Sequence, residues 1–347
     1  MMGIRTLDLF CGGGGSSWGA KAAGARIVCG VDGWPVASAT YGRNFPKAHA
    51  VNMMLTEDTR PDEIGTLGKI DLLLASPECT HHTCARGARP ADESSKRTAR
   101  YVVNFAADLK PRWLVIENVI HMKGWQGYLP LLSELTALGY KTRVQTIDSK
   151  AFGVPQSRKR LFVMCDLLRE PPPVIGRPGR PLSARSVLDP EGTWASRPLY
   201  SPKRAQATIE RAERGIAELG AGHPFLIVYY GSDGSGGWQS LSKPLRTITT
   251  IDRFGLVTWD GETPMLRMLQ PIELARAMGF GESFTLGDGT RREKIMMIGN
   301  SVAPPVMQTI IETLTGPGEV LQDFLTQPRS SRPDRSVTQS TWVAQQP

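Results

Sequence analysis

A cluster of glycines directly behind the first apolar segment limits this chain to a small set of folds. The motif DLFCGGGGSSWG, Asp8–Gly19, contains the end of a strand-like segment, Thr6–Phe10, and then the glycine cluster. A helix-like segment comes next, from about Ser17 to Ala23. The order of strand, glycine turn and helix is typical of a parallel sheet that binds a ligand at its carboxyl edge, because glycine lets the backbone approach the ligand closely.

Short apolar segments and helix-like segments alternate through the first half of the chain. This alternation predicts an α/β fold with a Rossmann-like, mostly parallel sheet that helices cover on both faces. Further strands are expected at Arg26–Val31, Ile70–Ala75, Trp113–Ile116, Lys141–Ile147 and Leu161–Cys165. Further helices are expected at Pro35–Asn44, Ser95–Leu109 and Tyr128–Leu138.

The alternation stops after Cys165, and a segment rich in proline and glycine, Pro171–Pro181, indicates a linker. A second, smaller domain is expected beyond it, with a polar helix at Pro202–Leu219 and β-type segments at Phe225–Tyr230 and Leu245–Ile251. The predicted boundaries are 1–175 for the first domain, 176–270 for the second, 271–325 for a segment that returns to the first, and 326–347 for a disordered tail.

The charge and the cysteines restrict the partners and the compartment. A formal net charge of +8 favours a polyanionic partner such as nucleic acid, although a charge of this size does not specify one. The 5 cysteines are odd in number and have no paired spacing. No signal peptide is expected from the first residues, MMGIRTLDLF, and no apolar run reaches membrane-spanning length. These features predict a cytoplasmic protein with reduced thiols and no membrane association.

A carboxylate follows the glycine cluster at the end of the second expected strand. Asp32 at this position can accept hydrogen bonds from the ribose hydroxyls of a nucleoside-type cofactor. The cluster lacks the lysine of a phosphate-binding loop and departs from the dinucleotide pattern G-x-G-x-x-G. The combination favours S-adenosylmethionine, which has a ribose and an adenine but no phosphate. The alternative is a tight turn that serves no ligand.

A cysteine loop, ASPECTHHTCARGAR, follows the third expected strand directly. Cys79 therefore lies where open parallel sheets place their chemistry, and Arg86, Arg89 and His81 or His82 would favour its thiolate. A buried structural thiol is one alternative. A metal site is another, because His81, His82 and Cys84 are close by, but no distant second pair of ligands accompanies them, and no metal is expected.

Charged residues also lie at the ends of two other expected strands, a glutamate at the end of one and two arginines at the start of the other. Glu117 ends the apolar run WLVIEN, where partial desolvation should raise its pKa and allow it to donate a proton. A carboxylate satisfied by local partners is the alternative. Arg158 and Arg160 alternate on an extended segment, so their side chains share a face and are able to hold a carbonyl oxygen, a phosphate or Glu117.

Together these motifs resemble the C5-cytosine DNA methyltransferase family over roughly Leu7 to Leu314. DLFCGGGG, SPEC, ENV, QSRKR and GNSV occur in the order of that family. The resemblance implies S-adenosylmethionine as methyl donor and double-stranded DNA as substrate, from which a cytosine is flipped out. It also implies that the smaller domain is a target-recognition domain, and the protein is expected to act as a monomer.

The resemblance also implies roles for individual residues. Cys79 would attack carbon 6 of cytosine, Glu117 would protonate or hydrogen-bond N3, and Arg160, supported by Arg158, would hold O2. The implied cofactor contacts are Phe10, Gly12, Gly15, Asp32, Asn52, Met53, Asn300, Ser301 and Val302.

One residue departs from the family where it matters most. Glu78 occupies the position before the nucleophile that is usually proline, and a neighbouring carboxylate should raise the pKa of the thiol. This departure keeps open a modified base or methyl donor. Two more functions stay open: an enzyme that acts on a cytosine in RNA, and a DNA-binding relative that has lost catalysis.

Overall fold

The structure is a computed structural model, and it describes residues 3–77, 94–177, 179–230 and 236–316, with side chains from residue 98 onward in the second range. Within these ranges the central sheet has 7 strands in the order β3-β2-β1-β4-β5-β7-β6. All neighbouring pairs are parallel except those of β7, which runs antiparallel to both β5 and β6. The strands are β1 Arg5–Leu9, β2 Arg26–Asp32, β3 His49–Asn52, β4 Leu72–Ala75, β5 Trp113–Asn118, β6 Lys141–Asp148 and β7 Lys159–Asp166.

Helices cover both faces of this sheet. Side chains of α1, α2 and α8 belong to the buried hydrophobic cluster on one face, and those of α3 and α4 to the cluster on the other. The central strand β4 is apolar along its whole length because both of its faces are covered. These helices are α1 Gly15–Ala22, α2 Pro35–Asn44, α3 Ser94–Leu109, α4 Tyr128–Ala137 and α8 Pro304–Thr315.

A second sheet, antiparallel throughout, has 5 strands among the described residues, in the order β10-β9-β11-β12-β8. Helix α5, Gln206–Leu219, packs on β9 and β10, and two further helices, α6 Pro271–Met278 and α7 Arg291–Asn300, lead back to α8. The strands are β8 Arg197–Pro198, β9 Phe225–Val228, β10 Trp238–Ser240, β11 Phe254–Asp260 and β12 Thr263–Met268.

The second sheet shares its core with the first. Leu226, Val228 and Leu256 belong to the same buried hydrophobic cluster as Phe162 and Met164 of β7. The alternate residues of β9 and β11 face the other way and form a small separate cluster with α5. The division of the chain into a catalytic domain, a recognition domain, a returning segment and a tail stays a prediction.

The mostly parallel α/β fold predicted from the sequence is confirmed, and the expected strands of the first half differ from those found by at most two residues at an end. The expected β-segment at Leu245–Ile251 is wrong. Its only bridge joins Leu245 to Gln156, and side-chain hydrogen bonds replace the ladder of a strand. The strands β3, β8, β10, β11 and β12 were not expected. None of the helices in the described ranges combines the length and apolar character that crossing a membrane requires.

Candidate active site

The glycine loop between β1 and α1 leaves one side of its backbone open. Gly12 has φ +52°, and a Cβ atom added to it would meet no other atom within 4 Å. Phe10, at φ +55°, is half-buried beside it. By contrast, a Cβ at Gly14 would lie 2.5 Å from the ring of Phe45. The loop therefore presents backbone to a free space above Gly12 while its other side is packed.

Gly15 has a different reason to be glycine. A Cβ there would lie 2.4 Å from the carbonyl oxygen of Val302, so the first turn of α1 is packed directly against the segment that follows α7. Ser301 is buried, and its hydroxyl donates to the carbonyl of Met297 at 2.8 Å. The structure thus brings Ser301 and Val302 against Gly15 of the glycine loop, while the cofactor contacts predicted for all three residues stay predictions.

Asp32 closes the loop from the end of β2. One oxygen of its carboxylate accepts the N–H of Gly12 and the other the N–H of Trp34, each at 2.8 Å. Burial raises the pKa of Asp32, and these two hydrogen bonds oppose the rise. Each carboxylate oxygen accepts more than one hydrogen bond, so this side chain retains capacity for two ribose hydroxyls.

The neighbouring strand β3 adds the two other residues predicted on this side. The amide of Asn52 donates to the carbonyl of Asp32 at 3.0 Å, and the N–H of Met53 donates to the same carbonyl at 3.1 Å. Met53 is half-buried and Asn52 is exposed. A carboxylate, apolar side chains and open backbone suit the ribose and the adenine of S-adenosylmethionine, so the residues present fit that cofactor.

Glu117 and Arg160 form an ion pair at the carboxyl edge of the sheet. Glu117 lies near the end of β5 and is 6% exposed, and its Oε1 is 3.2 Å from Nε of Arg160 on the adjacent β7. Burial raises the pKa of Glu117, while the positive charges of Arg160 and Arg158 oppose the rise. The carboxyl group therefore holds a proton more readily than an exposed glutamate does.

Arg158 contacts different partners from Arg160. Its guanidinium donates to the carbonyl of Ile248 at 2.9 Å and to the carbonyl of Gly299 at 2.7 Å, and the side chain is 3% exposed. The two arginines alternate along the chain as expected: Arg160 forms an ion pair with Glu117, and the guanidinium of Arg158 holds two backbone carbonyls. The catalytic roles predicted for the two arginines stay predictions.

Cys79 and Glu78 lie outside the described residues, as do His81, His82 and Cys84. The residues just before them are described. The amide of Asn118 donates to the carbonyl of Pro77 at 3.3 Å, and the N–H of Ser76 donates to the carbonyl of Leu9 at 3.1 Å. The chain that leads to Cys79 therefore leaves the sheet beside the end of β5, next to Glu117.

Sequence reasoning missed a buried polar network beneath the glycine loop. The carboxylate of Asp8 accepts the N–H of Ser17 at 3.1 Å and its hydroxyl at 2.7 Å, and the hydroxyls of Ser17 and Tyr41 are 2.8 Å apart. Burial raises the pKa of Asp8 to about 7. The available signal was a lone acid inside an apolar strand, which is costly unless it is hydrogen-bonded.

No three His, Cys, Asp or Glu side chains in the described part of the chain are grouped so that they could hold a metal ion. The buried Cys11, Cys29 and Cys165 are free thiols. The cysteine and histidine cluster considered from the sequence is not among the described residues.

Comparisons with known proteins agree with this geometry. The family model described as C-5 cytosine-specific DNA methylase matches residues 4–173 and 201–316. Type II methyltransferase M.HindV of Haemophilus influenzae is 26% identical over 303 residues, which cover 86% of this chain and 92% of that protein. M.AgeI of Thalassovita gelatinovora is 31% identical over 167 residues, but this match spans 46% of the chain and only 39% of M.AgeI.

Solved structures show the same fold. The methyltransferase EhMeth of Entamoeba histolytica superposes with a TM-score of 0.66 at 18% identity, covering 90% of this chain and 98% of that one. S. pombe Dnmt2 methyltransferase superposes with a TM-score of 0.62 at 20% identity and the same coverage of both chains. At these identities the similarity establishes the methyltransferase fold.

Proposed function

The chain belongs to the C-5 cytosine-specific DNA methylase family, and we propose that it transfers a methyl group from S-adenosylmethionine to carbon 5 of a cytosine in double-stranded DNA. The observation that carries this proposal is the buried pair of Glu117 and Arg160, which lies beside the segment leading to Cys79. A proton-holding carboxyl next to a guanidinium suits a ring with a basic nitrogen and a neighbouring carbonyl oxygen, which is what N3 and O2 of cytosine provide.

Carbon 5 of cytosine is a poor nucleophile, and the proposed chemistry activates it. The thiolate of Cys79 forms a bond to carbon 6, and the electron pair of the 5,6 double bond moves toward carbon 5. The proton held by Glu117 stabilises the charge that develops on N3, and Arg160 holds O2. S-adenosylmethionine would supply an electrophilic methyl group: carbon 5 would bond to it as the bond between the methyl group and the sulfonium sulfur breaks, which leaves S-adenosylhomocysteine. A base then removes the proton from carbon 5, the double bond re-forms, and the thiolate of Cys79 leaves.

The cofactor is assigned to the open side of the glycine loop. Asp32 would accept hydrogen bonds from the ribose hydroxyls, and Phe10 and Met53 would pack against the adenine. The backbone of Gly12 would line the methionine portion, and Asn300, Ser301 and Val302 would close the site from the other side. Because a cytosine inside a duplex is out of reach of these groups, the target base must flip out at a cost of a few kcal/mol.

The free thiols of Cys11, Cys29 and Cys165 support action in a reducing compartment, the cytoplasm, and one chain carries the proposed nucleophile, the proposed proton donor and the proposed cofactor contacts. The enzyme is therefore proposed to act as a monomer. Sedimentation of the purified protein with and without duplex DNA would show this directly, and a stable dimer would contradict it.

The test of the activity uses tritiated S-adenosylmethionine with duplex DNA and, separately, with RNA. Label in DNA that mass spectrometry assigns to 5-methylcytosine alone supports the proposal and excludes the altered base or donor that Glu78 leaves open. Label in RNA but not in DNA would refute it. Bisulfite sequencing of a host that expresses the gene then identifies the methylated site.

The covalent step has its own test. A duplex with 5-fluorocytosine at the methylated site should trap the wild-type enzyme as an adduct, because the fluorine blocks the final elimination. Cys79→Ser should give no adduct while it still binds the duplex. An adduct formed by Cys79→Ser would show that another residue is the nucleophile, and a wild-type enzyme that forms none would point to the catalytically silent relative.

A further inference from the structure

We propose that Arg158 is a positioning residue that couples DNA binding to cofactor binding, by fastening a connecting segment of the second sheet to the helix end that borders the cofactor site. This inference rests on the proposed function, since it needs both ligands. The connecting segment, residues 245–249, is called the strap below. It lies within Leu245–Ile251, the segment that was expected to be a strand and is not one.

The strap is bound along its length to the chain that enters β7. The N–H of Leu245 donates to the carbonyl of Pro155, and the N–H of Ser157 donates to the carbonyl of Leu245, both at 2.8 Å. The hydroxyl of Thr247 donates to the carbonyl of Ser157 at 2.9 Å. The N–H of Ile248 donates to Oε1 of the fully buried Gln156 at 2.9 Å. The strap is therefore held in one register against the catalytic sheet.

The strap is also part of the second sheet's framework. It lies between β10 and β11, and the hydroxyl of Tyr230, two residues after β9, donates to the carbonyl of Thr247 at 2.7 Å. A displacement of β9 or β11 by a bound duplex must therefore act on the strap.

On its other side the strap meets the end of α7. A Cβ atom at Gly299 would lie 2.3 Å from the carbonyl oxygen of Thr249, so the two backbones are in direct contact. Arg158 spans the same junction, because one arm donates to the carbonyl of Ile248 and the other to the carbonyl of Gly299. Three residues beyond Gly299, the carbonyl of Val302 packs on the glycine loop. A continuous set of contacts thus joins the second sheet to the cofactor site.

The guanidinium is suited to this junction by its shape. It is planar and carries donors on separate arms, so that it satisfies two carbonyl oxygens on two segments at a fixed separation. A lysine keeps the positive charge but offers one compact donor group on a flexible stem. Arg158→Lys therefore retains the charge that acts on Glu117 and removes the geometric link, which separates positioning from electrostatics.

The experiment measures the coupling itself. Fluorescence anisotropy measures the affinity for a duplex that carries the target site with its cytosine still unmethylated, with and without S-adenosylhomocysteine. Calorimetry measures the affinity for S-adenosylhomocysteine with and without the same duplex. Thermodynamic linkage requires the two ratios to be equal. In the wild type we expect each ligand to increase the affinity for the other by about fivefold or more. In Arg158→Lys the ratio should fall to within about twofold of unity, while the affinity for S-adenosylhomocysteine alone stays within about threefold of the wild type.

The matched control is Lys159→Met, at the exposed neighbouring position, which should keep the wild-type ratio. If thermal melting shows that Arg158→Lys does not fold, Thr247→Val takes its place. It removes one hydrogen bond of the strap, preserves the side-chain shape, and should lower the ratio.

Two results would overturn the inference: a wild-type ratio near unity, or variants that lose affinity for both ligands and keep the wild-type ratio, since that is what a merely structural arginine would do. A wild type that binds S-adenosylhomocysteine but no duplex DNA would instead refute the proposed function, and the coupling with it.

Discussion

The buried carboxyl of Asp8 should make the stability of the protein depend on pH in an unusual direction. Asp8 is fully buried inside β1, and its hydrogen bonds from Ser17 only partly offset the loss of water. Burial raises its pKa from 3.8 to about 7, and the nearby carboxylate of Asp32 contributes to the rise. The perturbation is Asp8→Asn, which keeps an acceptor for Ser17 and removes the ionisation.

The sign and the size follow from linkage. Below pH 3.8 the group is protonated in both the folded and the unfolded chain, so it has no effect on the free energy of unfolding. Between pH 3.8 and about 7 the unfolded chain loses this proton first, so the group increasingly favours unfolding as pH rises. At about 1.4 kcal/mol per pH unit, the penalty reaches about 4 kcal/mol near pH 7 and stays constant above it. Asp8→Asn should therefore gain stability relative to the wild type by up to about this amount as pH rises.

Guanidinium unfolding followed by circular dichroism at pH 5, 6, 7 and 8 measures the difference directly. The exposed Asp58→Asn serves as the control, and its difference from the wild type should not grow over this range. If the difference between Asp8→Asn and the wild type is the same at pH 5 and pH 8, the carboxyl is not held in a raised-pKa state and the reasoning fails.

Three further outcomes are expected at the site. Glu117→Gln should lower kcat by 100-fold or more with little change in DNA affinity, since general acids accelerate reactions by about 10²–10⁴-fold. The kcat of the wild type should fall as pH rises past the raised pKa of Glu117, because the carboxyl group then loses its proton. Single-turnover kinetics across pH measure both effects. Gly15→Ala should lower Tm more than Gly12→Ala does, because the Cβ at Gly15 meets the Val302 carbonyl, whereas the Cβ at Gly12 meets no atom and only its left-handed backbone (φ +52°) is strained. Gly12→Ala should in addition weaken cofactor binding, which calorimetry measures, and an equal fall in Tm for both variants would contradict this. Asn118→Ala should lower kcat by freeing the Pro77 carbonyl, and an unchanged rate of adduct formation with 5-fluorocytosine would contradict it.

The parts of the fold that the sequence predicted are those whose local pattern coincides with their tertiary environment. β4 and the first four residues of β5, Trp113–Ile116, are continuous apolar runs because both faces are buried, and α2 begins with a proline in its first turn. β3 was not predicted because its four residues are mostly exposed and have no apolar pattern. The strap was misassigned because its alternating Thr and Ile residues have the composition of a strand, while the partners that hold it at the entry to β7, Ser157 and Gln156, are 90 and 92 residues away in the chain.

The candidate site divides in the same way. The carboxylates Asp32 and Glu117 stand at strand ends, so a parallel sheet alone places them at one edge. The different partners of Arg158 and Arg160 were not predictable, because they depend on the carbonyls of Ile248 and Gly299, which only the folded chain brings within reach. Local periodicity specifies which face a side chain takes, whereas long-range backbone contacts decide what it meets there.

The core that the two sheets share limits how this enzyme could acquire a new DNA preference. Leu226, Val228 and Leu256 share a buried cluster with residues of the first sheet, so a second sheet transplanted whole from a relative, to change the recognition proposed for it, would have to match that apolar surface side chain by side chain. Exchange is easier on the opposite side, where α5 covers only a small cluster of its own. In directed evolution, tolerated substitutions should therefore accumulate on the side of the second sheet that α5 covers. Variants in which the side facing the first sheet is also replaced should be recovered mainly as insoluble protein.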